Sequence, residues 1–221
     1  MNSMVEQGDE SINKHHLIAV SVIAGWFILI VSLGMSGAYS INASEAPTTL
    51  IMSFISVYSI FALSYIKFPM VKKYILNLDM RFLIMLNSWR MIGMGFIMLS
   101  MFSHLPYLFA YVAGFGDALT AVGAVFLAFK LMKRNQGVDR KTILRWNTFG
   151  LVDFVLAVSI GLLTRTDAWL MQSNGVNSDM MVLFPMVIIP GFLVQLLSLT
   201  HIIIYLQLKN NHIDQAMIKI N

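Results

Sequence analysis

Three ionisable residues lie inside apolar stretches that are each long enough to cross a bilayer. Arg90 lies in the stretch 82–102, and two later stretches carry Asp117 and Asp153. An unpaired charge at the bilayer centre costs at least about 2.5–3.5 kcal/mol, so we expect these side chains to face the bundle interior and one another. One guanidinium does not neutralise two carboxylates, so we expect one acid to hold a proton, as transport elements do.

Helix rise predicts that the three charges share one layer. At ~1.5 Å per residue, Arg90 and Asp153 lie roughly 13 and 15 Å from the ends of their spans that carry Lys and Arg, and Asp117 lies roughly 21 Å from its own. The hydrocarbon core is about 30 Å thick, so this layer is near its middle. Four more polar residues are predicted to join the charges in a site for a solute or an ion. They are Asn87, Asn147, Gln195 and His201.

Composition favours a membrane protein over a soluble one. Of 221 residues, 57% are hydrophobic and 12% are charged, against about 25% charged in soluble domains. The net charge of +4 lies in short loops, which is a topology signal, and we predict no nucleic-acid partner. The chain has 0 cysteines, which excludes disulfides and thiolate metal sites. Because no HExxH or GxSxG motif occurs, we predict no catalytic residue and no metal site, and an enzyme is disfavoured.

The apolar stretches predict an all-α integral membrane bundle of six transmembrane helices. This six-helix domain covers residues 15–208, between a polar lead, 1–14, and a tail, 209–221. Its predicted spans are 15–38, 48–68, 82–103, 107–132, 143–163 and 180–208. Of the 15 Lys and Arg residues, Arg90 lies within a span and Arg165 on one side, and all the others lie on the other side. The positive-inside rule places that second side, with both termini, in the cytoplasm.

Two patterns bear on how the spans pack near the charges. Gly116, Thr120 and Ala124 follow one another at helical spacing, which is typical of a close approach between two helices. Pro185 and Pro190 interrupt the last span, and each removes a helix hydrogen bond. Such a break occurs as a plain kink and also in the broken helices of transport sites, so both interpretations remain open.

The histidines raise the alternative of a haem-binding electron carrier. Axial ligation needs two ligands that face each other at one depth. His201 lies roughly 10 Å above the cytoplasmic edge, and His104 lies at the other end of a span, about 20 Å away along the membrane normal. These two histidines therefore cannot hold one iron. No cofactor is predicted, and haem on His201 stays an alternative.

An ordered set of residues in spans three to five resembles a bacterial family described as hypothetical multi-span membrane proteins. The residues that carry the resemblance are Arg90, Gly93, Leu105-Pro106, Phe109-Ala110, Ala113-Gly114, Gly116-Asp117, Trp146-Asn147, Gly150 and Asp153. The pattern includes GxGD followed by WNxxGxxD and covers about a third of the chain. The resemblance implies a bacterial inner-membrane protein and carries no activity.

The sequence therefore predicts a multi-pass protein of the bacterial cytoplasmic membrane. We expect it to bind or transport a small solute or ion through Arg90, Asp117 and Asp153. One alternative is an accessory or assembly subunit of a membrane complex, in which the charges only specify packing. The other is the haem-bearing electron carrier. The expected partners are the lipid bilayer, the solute or ion, and either a second copy of the chain or another membrane protein.

Overall fold

The part of the chain that the structure describes is mostly helical and contains no strand. The computed structural model describes residues 2–40, 47–133, 138–166, 168–170 and 174–210. The α-helices in these ranges are α1 (Asn2–Met35), α2 (Thr48–Lys67), α3 (Pro69–Leu76), α4 (Met80–Leu86), α5 (Met94–Met101), α6 (Tyr107–Met132), α7 (Arg140–Leu163) and α8 (Val194–Lys209). A 3-10 segment, Asn87–Gly93, joins α4 to α5, and a π-helical segment, Ile189–Leu193, leads into α8.

Six helical stretches are long and apolar enough to cross a membrane. They are His15–Met35, Thr48–Lys67, Met80–Met101, Tyr107–Met132, Arg140–Leu163 and Ile189–Lys209. Within the described residues, the prediction of an all-helical chain with six long apolar helices is confirmed. Such a set of helices suggests a multi-pass membrane protein.

Two helix boundaries differ from the predicted spans for simple reasons. Helix α1 begins at Asn2, well before residue 15, because the lead contains no proline and a nucleated helix extends at little cost. Pro69 ends the second span as predicted, but it also begins the short helix α3 in what was predicted to be a loop. Proline is well placed there, since the first helical position needs no backbone N–H.

The third span is not the continuous α-helix that 82–103 predicted. Helix α4 gives way to the 3-10 segment Asn87–Gly93 before α5 begins. This segment opens on Asn87, Ser88 and Trp89, which favour an α-helix less than the Leu and Met residues around them. Because a 3-10 helix rises more steeply, at ~2.0 Å per residue, the change alters where the Arg90 side chain leaves the backbone.

The last span is shorter than the predicted 180–208. Its apolar helical stretch begins at Ile189, after a 3-10 turn at Asp179–Val182 and a cis peptide bond between Phe184 and Pro185. The two prolines cannot donate to a helix ladder, which explains the late start. In the π-helical segment that follows, the side-chain amide of Gln195 donates to the Pro190 carbonyl at 3.2 Å.

Helix α6 is the centre of the bundle. It packs along the 3-10 segment, α4, α5 and α7, while α8 packs against α7 and α4. Helices α1 and α2 lie outside and contact the π-helical segment. Half of the most apolar window in Ile189–Lys209 is buried, against 6% of that in Thr48–Lys67. The outer helices therefore present apolar side chains to their surroundings, as lipid-facing helices do.

The two ends of the bundle differ in charge and are named here by it. The basic end carries Lys72, Lys73, Arg140 and Lys141, and the opposite end carries residues 164–166 and 174–179. Two buried apolar clusters lie along the bundle. One lies towards the basic end and includes Ile84, Leu127 and Ile204, and the other lies towards the opposite end and includes Phe96, Phe109 and Met181.

Candidate functional site

Arg90 lies in the 3-10 segment and is 3% exposed. Its Nε donates to Oδ1 of Asp117 at 2.7 Å, and its Nη2 donates to Oδ2 of Asp153. Its Nη1 donates to the Gly150 carbonyl at 3.0 Å and to Nε2 of His201 at 3.3 Å. The structure thus brings Arg90, Asp117 and Asp153 into direct contact, and partners from three helices occupy the nitrogens of the guanidinium.

Three glycines allow the charged side chains to come this close. A Cβ built on Gly93 would collide with the Asp117 carboxylate, and one built on Gly116 would collide with the Asp153 carboxylate. A Cβ on Gly150 would lie 2.5 Å from the ring of His201. At each of these glycines, a polar side chain from a neighbouring helix packs directly against the backbone. Gly116 also begins the small-residue stripe, which is buried at Thr120 and Ala124.

His201 and Asn147 form a matched pair beside Arg90. An arginine can only donate, so Nε2 of His201 accepts from Arg90 and Nδ1 carries the ring hydrogen. Nδ1 donates to Oδ1 of Asn147 at 2.8 Å, and Nδ2 of Asn147 donates to the backbone carbonyl of His201 at 3.0 Å. Both side chains are at most 1% exposed. Every polar atom of the pair thus has a partner, and the tautomer is set.

Aromatic rings close the layer on its remaining sides. The Arg90 guanidinium lies 3.6 Å from the ring centroid of Phe154, an arrangement in which the ring face attracts the cation. The rings of Phe154 and Trp146 also contact the His201 ring. The indole of Trp146 donates to the Thr120 carbonyl at 3.0 Å and so ties α7 to α6. These contacts hold the charges in a dry and rigid setting.

Two of the predicted site residues lie outside this cluster. Asn87 donates to Oγ1 of Thr200 at 2.9 Å and to a backbone carbonyl of its own helix. Gln195 donates to Oγ of Ser53 at 3.1 Å, on α2. Neither contacts any of the three charges. Each keeps one buried side-chain oxygen without a hydrogen-bond partner among the described residues.

A cavity reaches Asp117 from the opposite end of the bundle. It encloses about 650 Å³ of space, its open mouth included, and its walls carry the rings of Phe96, Phe109 and Phe154. Asp117 lines it and is 15% exposed, whereas Asp153 is 6% exposed and does not. No described residue donates to Oδ2 of Asp117. The two acids therefore differ, because Asp117 lines the cavity and Asp153 does not.

A second buried arginine lines the same cavity beyond the end of α7. The Arg165 side chain is 8% exposed, and its Nε donates to Oδ1 of Asp179 at 2.7 Å. Asp179 also accepts from the backbone and the hydroxyl of Thr166. The two terminal nitrogens of Arg165 are buried and have no hydrogen-bond partner among the described residues. Sequence reasoning used Arg165 only to assign topology and missed this position.

The other residues that sequence reasoning missed act through backbone or ring contacts. Gly150 supplies a carbonyl, and Phe154 supplies the ring face under Arg90. The pattern WNxxGxxD contained both Gly150 and the residue before Phe154. That spacing was a usable signal, because positions 146, 150 and 153 fall on one face of a helix.

Comparisons with known proteins give one match. A family model described as Domain of unknown function (DUF8737) matches residues 46–209, which include every residue of the charge layer and the cavity. No curated protein and no solved structure matches the chain.

Proposed function

The chain belongs to the family of the domain of unknown function DUF8737, and we propose that it binds a small solute or ion at the buried charge layer and moves it across a membrane. The membrane is the bacterial inner membrane, with the basic end and both termini in the cytoplasm. The observation that carries the proposal is the position of Asp117, whose carboxylate is fixed by Arg90 and faces a cavity.

The charge balance of the layer supports a role for a cation. Arg90 neutralises one of its two carboxylates, and the neighbouring His201 offers no further donor, since its Nδ1 hydrogen goes to Asn147. One more positive charge, from a proton or a bound cation, completes the balance. Asp117 lines the cavity, and its Oδ2 accepts from no described residue, so the proton or cation binds there.

The alternative of an accessory or assembly subunit rests on the same contacts. Arg90 is held by its own chain on every nitrogen, which is what a structural ion pair requires. A purely structural pair has no need of a cavity at one of its acids. The exposure of Asp117 to the cavity therefore favours a site over packing alone.

The haem alternative has less support in the geometry. Both ring nitrogens of His201 are engaged, one with Arg90 and one with Asn147, and the ring is 0% exposed. An iron on His201 would have to displace one of these partners. The solute or ion site needs no such rearrangement.

Proton flux into proteoliposomes tests the proposal. The purified chain is reconstituted with a pH-sensitive dye inside, and a potassium diffusion potential is applied with valinomycin. We expect proton uptake with the wild type and its loss with D117N, because an amide does not take up a proton. D79N is the control, since Asp79 lies outside the apolar stretches at the N-cap of α4. Wild-type flux no greater than that of D117N would reject the proposal.

A further inference from the structure

The cavity contains a feature that the charge layer does not use. Arg165 lies about 15 Å beyond Asp153, from the helix rise over the rest of α7, and it lines the same cavity as Asp117. Its Nη1 and Nη2 are buried without a hydrogen-bond partner in the described part of the chain. A buried guanidinium normally has all its donors engaged, because each unpaired one costs free energy. Two free donors on one group therefore indicate a ligand that is bound there.

The unpaired nitrogens define the ligand's head group. Asp179 binds Nε and fixes the plane of the guanidinium, so the two terminal nitrogens remain as a fork that suits two oxygens of one planar anion. Asp179 already balances the charge of Arg165. A head group with a single negative charge therefore fits better than one with two.

The walls of the cavity define the rest of the ligand. Apart from Arg165, Asp117 and Ser178, the residues that line it are apolar or glycine. Ser178 uses its hydroxyl hydrogen on the Gly161 carbonyl at 2.5 Å, so it has no donor to spare. An apolar body of modest size matches these walls.

We propose that the cavity binds an apolar monocarboxylate, with the carboxylate on the free nitrogens of Arg165 and the apolar body among the phenylalanine rings. The inference rests on the proposed function, because it names the class of solute that the same cavity takes. The ligand reaches towards Asp117, which binds the proton or cation. A carboxylate and a cation thus occupy the two ends of one cavity.

Binding of radiolabelled octanoate to the full chain in phosphatidylcholine nanodiscs tests this assignment. We expect saturable binding that octan-1-ol does not displace, and a loss of affinity of about ten-fold or more in R165Q, the size expected for a charge-assisted pair. R165K keeps the charge but lacks the forked pair of donors, so its affinity for octanoate should lie between those of the wild type and R165Q. K141Q removes a cation from the exposed basic end and is the matched control. It should bind octanoate like the wild type.

A second variant covers the case in which R165Q disturbs the fold. A157F places a ring in the cavity and leaves the Arg165–Asp179 pair intact, so it should abolish octanoate binding without loss of a charge. Absence of saturable binding to the wild type, or wild-type affinity for octanoate in both R165Q and A157F, would overturn the proposal. So would displacement of octanoate by phosphatidylglycerol in the nanodisc, which would assign the site to a lipid head group.

The two proposals fail in different assays. Octanoate binding tests Arg165 and the cavity without any flux, and the proton-uptake assay tests Asp117 without octanoate. A wild type that binds octanoate but shows no flux would reject the transport function alone. A wild type with flux that depends on Asp117 but no octanoate binding would reject the monocarboxylate alone.

Discussion

Arg90 and Arg165 are both buried, and the Nε of each donates to an aspartate at 2.7 Å. Their terminal nitrogens differ. Those of Arg90 donate to Asp153, to a backbone carbonyl and to His201. Those of Arg165 have no partner among the described residues. One guanidinium therefore belongs to the scaffold, and the other keeps its donors for a ligand.

The difference follows from where each arginine lies. Arg90 is enclosed by α6, α7 and α8, each of which contributes a polar group to it. Arg165 lies past the end of α7, where Asp179 is its side-chain hydrogen-bond partner among the described residues. A cation in the middle of a bundle is tolerated only when polar groups of its own chain pair with it. A cation that lines a cavity can instead pair with a bound ligand.

Loss of Arg90 should have the largest effect on stability. R90Q leaves two buried carboxylates without their cation, and we expect a loss of about 3–5 kcal/mol, as for other broken buried pairs. R165Q should cost less, about 1–3 kcal/mol, because Asp179 is 21% exposed and keeps its contacts with Thr166. Unfolding in rising SDS mole fraction measures both. Equal losses in the two variants would remove the distinction between them.

Substitution of the glycines that pack against Asp153 and His201 should cause the next largest loss of stability. G116A drives a methyl group into the Asp153 carboxylate, and G150A drives one into the His201 ring, so each should cost about 2 kcal/mol by overpacking. Gly95 is the matched control in α5, because nothing lies within 4 Å of a Cβ built there. G95A should be neutral or stabilising, since alanine favours a helix over glycine. Destabilisation by G95A as large as that by G116A would contradict the close-approach account.

Removal of the Asn147 side-chain amide tests how much its hydrogen bonds with His201 contribute to stability. N147L leaves the ring hydrogen of His201 without a partner and removes the second hydrogen bond to its backbone carbonyl. Because unsatisfied buried groups are costly, we expect a loss of about 1–2 kcal/mol. Asn77 makes a comparable bond to a backbone carbonyl but is exposed at the end of α3. N77L should therefore change the free energy of unfolding much less, and a loss equal to that of N147L would contradict this reading.

The exposed pair of Asp79 and Arg81 should give the smallest effect. Asp79 accepts from the backbone N–H of Arg81 at the start of α4, and we expect D79A to cost about 0.5–1 kcal/mol through loss of the N-cap. The Arg81 side chain, which hydrogen-bonds the carboxylate, holds the pKa of Asp79 below its ordinary value. Its contribution is thus complete above the ordinary pKa of about 3.9 and disappears as the pH falls through the lowered pKa.

The measurement is the difference in melting temperature between wild type and D79A as a function of pH. It should be present near neutral pH and shrink on acidification below about pH 4. A difference that does not change with acidification would show that the carboxylate charge plays no part in the cap.

The charge layer was largely predictable from the sequence, because the cost of a charge in a membrane is high. Arg90, Asp117 and Asp153 had to meet, and they do. His201 and Asn147 could be placed near them by depth alone. Gln195 and Asn87 could not be excluded in this way, since depth does not tell which side of a helix faces the charges. The direction in which each side chain points follows from its hydrogen-bond partner, which is Ser53 for Gln195 and Thr200 for Asn87.

The irregular segments were not predictable in the same way. An apolar helix in a membrane has little polar periodicity, and the weaker helix formers Asn87, Ser88 and Trp89 do not by themselves distinguish a 3-10 segment from a regular helix. The prolines indicated a break in the last span but not the π-helical segment that follows. Arg165 was missed because it follows the end of a span, where a basic residue is read as a topology signal. Its burial beside Asp179, 14 residues later, was not visible in the sequence.

The most direct test of the central claim is the accessibility of positions on either side of Asp117. The chain has 0 cysteines, so a single introduced thiol can be followed without background. Ala113 and Ala121 each lie one turn from Asp117 on α6 and are each 1% exposed, but only Ala113 lines the cavity. We predict that a small methanethiosulfonate reagent modifies A113C several-fold faster than A121C, because reaction follows access to the thiol. Equal rates would contradict the account, since the cavity would then not reach the charge layer.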